Sequence, residues 1–265
     1  MKKASKWEVL ERTPFSCQSP WILLIICLFL GCAGLPKEPA QKQEVPSAGA
    51  ASFYVEKELK NLETYQRDLQ QCKGERVETL ARLAQVCFHL GELVPPDQKL
   101  YYYEQGRCYA EMLARECPSR VEGHYWLALN LCGVAEVGGA GRALRLLPQI
   151  VEIMEKAASI DPAIDQAGPH RVLGRIFSEA PAWPISVGDM HKSLHHLTLA
   201  VQIAPENSTN HLFLADTLMR LGKEKQAQKE LDKVLKSSQH AVWPLGVTHD
   251  QVEARRLQAR LNGSH

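Results

Sequence analysis

The sequence predicts an all-α protein, an α-solenoid array of stacked helix pairs. Three observations carry this. After position 50 the chain is dominated by Ala, Leu, Glu, Gln, Lys and Arg, and β-branched residues are sparse, a composition that favours helices. Apolar residues recur at helical spacing between short breaks. A large residue followed by a small one returns four times in one register, at Leu83-Ala84, Leu127-Ala128, Leu173-Gly174 and Leu214-Ala215.

The N-terminal segment reads differently. Trp21 to Leu30 (WILLIICLFL) is apolar and uncharged, but ten residues of helix reach only about 15 Å, half a hydrocarbon core. That length suits the apolar region of a signal peptide, with Lys2, Lys3, Lys6 and Arg12 as its positive start. The run exits through Phe29-Leu30-Gly31-Cys32, which resembles a bacterial lipobox, so Cys32 is the expected lipidation site. By the same resemblance, Ala33 after the cysteine implies the outer membrane. Residues 33–52, rich in Pro, Ala, Gly, Ser, Lys and Glu, cannot bury a core and read as a tether. The expected organisation is a signal peptide over 1–31, an anchored linker over 32–52 and one helical domain over 53–262.

Within that domain helices are expected near 53–73, 76–92, 98–117, 120–135, 146–159, 168–179, 190–203, 208–221, 224–237 and 249–261. Pro95-Pro96, Pro118, Asp161-Pro162 and Ala204-Pro205 mark breaks, because proline cannot continue a helix and constrains the residue before it. Gly91 and Gly222 are candidate helix-ending glycines, and Asp189 and Ser208 candidate N-caps. From Asn207 to Ser238 the order Leu214-Ala215, Leu218, Gly222, Ala227, Leu231 has the spacing of a tetratricopeptide repeat: small residues let two helices approach and large ones fill the seam. The small positions Ala84, Ala128, Gly174 and Ala215 lie 44, 46 and 41 residues apart. A standard unit is about 34 residues, and the excess is assigned to elaborated turns at 95–99, 133–145 and 178–188.

Several stretches resemble the T-component of tripartite ATP-independent periplasmic (TRAP) transporters: YWLAL at 125–129, IDP at 160–162, GPHRVLGRIF at 168–177, APAWPISVGD at 180–189 and AVQIAPENSTNHLFLADTLM at 200–219. The resemblance covers roughly 75–238. It implies an array of divergent tetratricopeptide pairs that partners a periplasmic substrate-binding subunit, and a trimer. A weaker likeness to regulators of microtubule dynamics exists in the same region, and the lipobox argues against that eukaryotic setting.

Chemistry is sparse. A net charge of +1 gives no basic excess for nucleic acid. GxSxG, P-loop and HExxH patterns do not occur, so no enzyme and no cofactor is expected. His191 and His195 share a helix face with metal-binding spacing, His196 beside them, but no further ligand completes a site and no metal is expected. Cys72, Cys87, Cys108, Cys117 and Cys132 have no framework spacing and read mostly as buried thiols, with room for one bridge. The inward stripe of the first helix in each pair is the candidate ligand surface: Gln85, Phe88 and His89, then Tyr125 and Leu129, then Arg171 and Arg175, then Asp216, Met219 and Arg220. From it Phe88, Tyr125, Arg171, Arg175, Asp216 and Arg220 are taken as ligand-binding, the arginine forks suiting an organic anion. The same arginines also suit salt bridges to Glu179 or Asp216. Trp183 is a candidate turn or partner contact, and Trp243 a cap over the core. The expected function is a non-catalytic, lipid-anchored periplasmic protein that binds a protein partner, as an accessory of a TRAP-type uptake system or as a scaffold for envelope assembly.

Overall fold

A computed structural model describes residues 48–71, 75–237 and 246–262. Cys32, the apolar run before it, Cys72 and Trp243 lie outside the described residues. The described chain forms ten helices: α1 (Ala48–Gln70), α2 (Arg76–Leu93), α3 (Pro96–Glu116), α4 (Val121–Val137), α5 (Ala140–Ile160), α6 (Ile164–Glu179), α7 (Met190–Ile203), α8 (Ser208–Arg220), α9 (Glu224–Lys236) and α10 (Gly246–Asn262). Among the described residues there is no strand, only a single bridge between Ala182 and Gly188. No described helix is long and apolar enough to cross a membrane.

The helices pack as the Leu-small register requires. The pairs are α2 with α3, α4 with α5, α6 with α7, and α8 with α9. Leu83, Ala84, Ala128, Leu173 and Ala215 are completely buried, and so are the small partners Ala110, Ala157, Ala200 and Ala227 on the second helices. A Cβ on Gly174 would lie 2.4 Å from Leu197 Cγ, so glycine there sets how closely α6 and α7 approach. Tyr103 fills the seam between α2 and α4, where a Cβ on either Gly91 or Gly133 would strike its ring. Gly91 is therefore not a helix terminator but an interior packing position of α2. Gly222 does end its helix: its φ is +67°, and Lys223 N–H donates to Leu218 O while Gly222 N–H donates to Met219 O.

The repeat excess lies mostly in helix rather than in turns. Only Val94 and Pro95 separate α2 from α3, and only Gly138 and Gly139 separate α4 from α5; the additional length extends α3 and α5 to 21 residues each. α5 starts six residues before its expected position and continues through Pro148. Its buried stripe Ala143, Leu147, Ile150, Met154, Ala157 steps by four and three across the proline, so burial offsets the hydrogen bond that Pro148 cannot donate. The one long connection within a pair is 180–189, between α6 and α7.

Both ends of the array are covered by an additional helix. α1 antiparallels α2, with Glu58 beside His89 at 3.4 Å and Leu69 packed with Leu80 and Val77. α10 packs on α8 and α9 and buries Asp250, whose Oδ2 accepts from Ser208 Oγ at 2.6 Å and Thr209 Oγ1 at 2.8 Å. The N-cap of α8 is Asn207, which accepts the Asn210 amide; the Ser208 hydroxyl goes to α10. Leu at the completely buried position 215 should overpack the fourth pair, so Ala215→Leu is expected to lower unfolding stability by about 1–3 kcal/mol in urea titration, with the helical dichroism unchanged.

Candidate partner-binding surface

The candidate residues converge on α6. Its first turn is broken: Asp165, Gln166 and Ala167 have φ of 51°, 54° and 65°, a short left-handed turn made without glycine. Each such residue costs about 1–2 kcal/mol. Arg171, one and a half turns on, holds this turn. Its Nη2 donates to Asp165 Oδ2 at 2.8 Å and Asp165 O at 3.1 Å, and its Nη1 donates to Gln166 O at 3.1 Å and Asn210 Oδ1 at 3.2 Å. Asn210 Nδ2 returns a bond to Gln166 O at 3.2 Å, and Asn207 Nδ2 donates to Gln166 Oε1 at 2.8 Å. From the other side the Tyr125 hydroxyl donates to Asp165. Burial, and then the Asp165 charge, push the Tyr125 pKa well above the usual phenol range. Gly168 admits the Tyr125 hydroxyl, which a Cβ would meet at 2.3 Å. One cluster thus joins α4, α6 and α8.

A second cluster lies one turn further along α6. Arg175 Nη1 donates to Asp216 at 2.9 Å and stands 3.0 Å from Glu179, with its guanidinium over the Phe213 ring. Arg220 reaches from α8 to Asp216 at 3.1 Å, to Glu179, and to Ser178 O at 3.0 Å. Three guanidiniums therefore face three carboxylates, Asp165, Glu179 and Asp216, all from within the chain. Arg171 and Arg175 do not extend two forks into one cavity; each is committed to its own carboxylates. Phe88 packs with Tyr103 and Trp126 in the core and is 7% exposed. Tyr125, Leu129, Arg171 and Arg175 are buried as well, so the inward stripe is covered at α4 and α6. It surfaces at α8, where Phe213, Asp216 and Met219 are half-buried and Arg220 is exposed on one face, and at α2 with Gln85 and His89.

The 180–189 connection is the other prominent feature. Ile185 N–H donates to Ala182 O at 3.1 Å, Gly188 N–H to Pro181 O at 2.9 Å and Asp189 N–H to Phe177 O at 2.9 Å. A Cβ on Gly188 would lie 2.0 Å from Ala180 O, so only glycine closes the turn. The Trp183-Pro184 peptide is cis. Asp189 N-caps α7 as expected, and the Lys192 and His191 amides hold its carboxyl below the usual range. Trp183 stands 85% exposed and Ile185 70% exposed at the tip.

Histidine contributes a contact that sequence spacing does not show. His196 of α7 meets His170 of α6, Nδ1 to Nδ1 at 3.0 Å, and stacks on Phe177. Burial first, then the neighbouring His170 and His195, push His196 down to about 4. His191 and His195 form no metal-holding group, and none occurs among the described residues. The described cysteines Cys87, Cys108, Cys117 and Cys132 are unbridged. Cys87 alone is fully buried and its thiol is pushed up to about 12, whereas Cys108 is exposed, against the expectation of mostly buried thiols.

Residues 49–179 are similar to the family described as regulator of microtubule dynamics protein 1-3, and residues 185–245 to the tetratricopeptide repeat. No curated protein matches the chain. Among solved structures, a thermophilic tetratricopeptide protein of Thermus thermophilus aligns at a TM-score of 0.57 and 16% identity, covering 78% of this chain and 95% of that one. At that identity the likeness shows the fold alone: an all-α tetratricopeptide-type array. These matches overturn the TRAP resemblance. The stretches that carried it, at 125–129, 160–162 and 168–177, fall inside the span matched by the regulator family, and their Leu, small-residue and Pro positions belong to tetratricopeptide packing in general. The weaker of the two sequence likenesses is the one a family match supports. The substrate-binding subunit and the trimer were implied by the TRAP resemblance alone, and that support is removed.

Two measurements test these clusters. Arg171→Gln leaves the half-buried Asp165 without its cation and is expected to cost about 1.5–3 kcal/mol in urea unfolding. For His196 the native pKa of about 4 lies below the ordinary 6.5, so on acidification the unfolded chain takes up the proton first. Its stabilising contribution is complete above about pH 6.5 and is lost as pH falls towards 4. The stability difference between wild type and His196→Gln should therefore shrink over that window; a difference independent of pH would contradict the assignment.

Proposed function

We propose that the chain is a non-catalytic tetratricopeptide-type scaffold, held at a membrane through its N-terminal segment, that binds a protein partner. The fold supports the scaffold reading, since arrays of this kind serve as a class in protein interaction. The observation that carries the binding surface is the opening of the inward stripe at α8. There Phe213 and Met219 are half-buried and Arg220 is exposed, and Arg220 is held by ion pairs to Glu179 and Asp216. Aromatic, Met and Arg side chains are the types enriched in protein interfaces. An organic anion at this cluster would have to displace carboxylates the chain already supplies, which favours a protein surface over a small ligand. The regulator-family match over 49–179 favours a microtubule-linked protein as that partner, which co-sedimentation with assembled microtubules tests.

A photo-crosslinking amino acid at Met219 is expected to give a discrete adduct in the protein's own cells, while the same probe at Lys229, exposed on α9, gives none. No adduct at 219, or the same adducts at both positions, ends the α8 assignment.

The membrane tether rests on the run Trp21 to Leu30 and on Gly31-Cys32. A lipidated Cys32 on a bacterial outer membrane is the alternative form of the tether, and it excludes the microtubule-linked partner. Cys32→Ser should then abolish fatty-acid labelling of the chain, and labelling that persists would exclude that cysteine.

A further inference from the structure

The topology places the 180–189 turn and the entry of the N-terminal segment on one edge of the array. Successive helices antiparallel one another, so the end of α2, the start of α3, the end of α4, the start of α5, the end of α6 and the start of α7 share an edge. α1 antiparallels α2, with Glu58 beside His89 and Leu69 beside Leu80, which puts Ala48 on that same edge. Residues 31–47, seventeen in all, join Ala48 to the apolar run ending at Leu30. At full extension they span at most about 60 Å.

The turn is built to present an apolar, uncharged tip. Residues 181–188 (PAWPISVG) contain no ionisable side chain. The flanking acids are engaged elsewhere: Glu179 is buried against Arg175 and Arg220, and Asp189 caps α7. Trp183 and Ile185 project 85% and 70% exposed from a backbone closed by its own hydrogen bonds. A tip of this kind offers no charge to orient a protein partner. It offers an amphipathic indole and an aliphatic side chain, and tryptophan is enriched where hydrocarbon meets water.

We propose that this turn docks on a lipid bilayer surface, Trp183 and Ile185 entering the interface, so that the edge bearing Ala48 faces the membrane. The proposal rests on the reading that the N-terminal segment holds the chain at a membrane. Because the tip carries no charge, docking needs no anionic lipid and is insensitive to salt.

The test uses the full chain reconstituted into phosphatidylcholine vesicles with brominated acyl chains. A single environment-sensitive fluorescent amino acid replaces Ile185 or, as control, Glu206 in the turn between α7 and α8 on the opposite edge. Emission at 185 should be lost to bromine quenching and emission at 206 retained, at low and at high salt. Adding Trp183→Ser should weaken tip insertion about tenfold or more and relieve the quenching; both side chains are exposed, so folding is unaffected. A chain that floats with the vesicles but keeps its emission at 185 overturns the docking while leaving the tether reading intact, and frees the tip for a protein partner. A chain that does not float overturns the tether reading and the docking with it.

Discussion

The array depends on Arg171. A tetratricopeptide-type solenoid is otherwise held together by neighbour contacts, each pair touching only the next. Here a single guanidinium, 9% exposed, bonds at once to the left-handed turn at 165–167 and to Asn210 on α8, while Tyr125 of α4 bonds the same Asp165. Three consecutive first helices are thus fixed to one charged group. Without it the left-handed turn would lose the bonds that offset its backbone cost, and α6 would lose the start that orients both Arg175 and the 180–189 connection.

The second cluster inherits its geometry from the first. Arg175 lies one helical turn beyond Arg171, so the position of α6 decides where Asp216 and Arg220 meet it. Arg220 then bonds Ser178 O and Glu179, the last turn before the connection, so the root of the turn is tied to α8. Both clusters are neutral in sum. Their charge is used in fixing helices to one another, and what reaches the surface at α8 is mixed: an aromatic ring, a thioether and an arginine whose side chain is 38% exposed.

Much of the fold was legible because the signals are local. The ten helices follow from periodicity and proline breaks, and the four Leu-small pairs predicted which residues meet at each seam. The capping role of Asp189 and the terminating role of Gly222 followed from their own chemistry. What sequence reasoning missed is non-local. Sequence reasoning places the start of α5 too late, at 146, because the cost of Pro148 is visible in sequence while the buried stripe that offsets it becomes decisive only in tertiary packing. The left-handed turn at Asp165-Gln166-Ala167 lacks the glycine that would announce it, and of its stabilising partners Arg171 is near in sequence while Tyr125, Asn207 and Asn210 lie about 40 residues away. The candidate stripe falls on α2, α4, α6 and α8, the first helix of each pair. Its degree of burial was not legible, because the coverage comes from neighbouring helices whose approach Gly168 and Gly174 permit. His170 and His196, 26 residues apart, gave no spacing that pointed to their contact.

The two terminal helices differ in how firmly they are seated. α10 is anchored by Asp250, bonded to two hydroxyls of α8, and by Ala254 and Leu257 in the core of the last pair. None of the described side chains of α1 is fully buried, and it packs mainly on α2. A chain pulled from its N-terminus would be loaded through this weakest member first. Under tension α1 would peel from α2 as a mechanical fuse, lengthening the link while the Arg171 cluster, further along the array, keeps the rest intact.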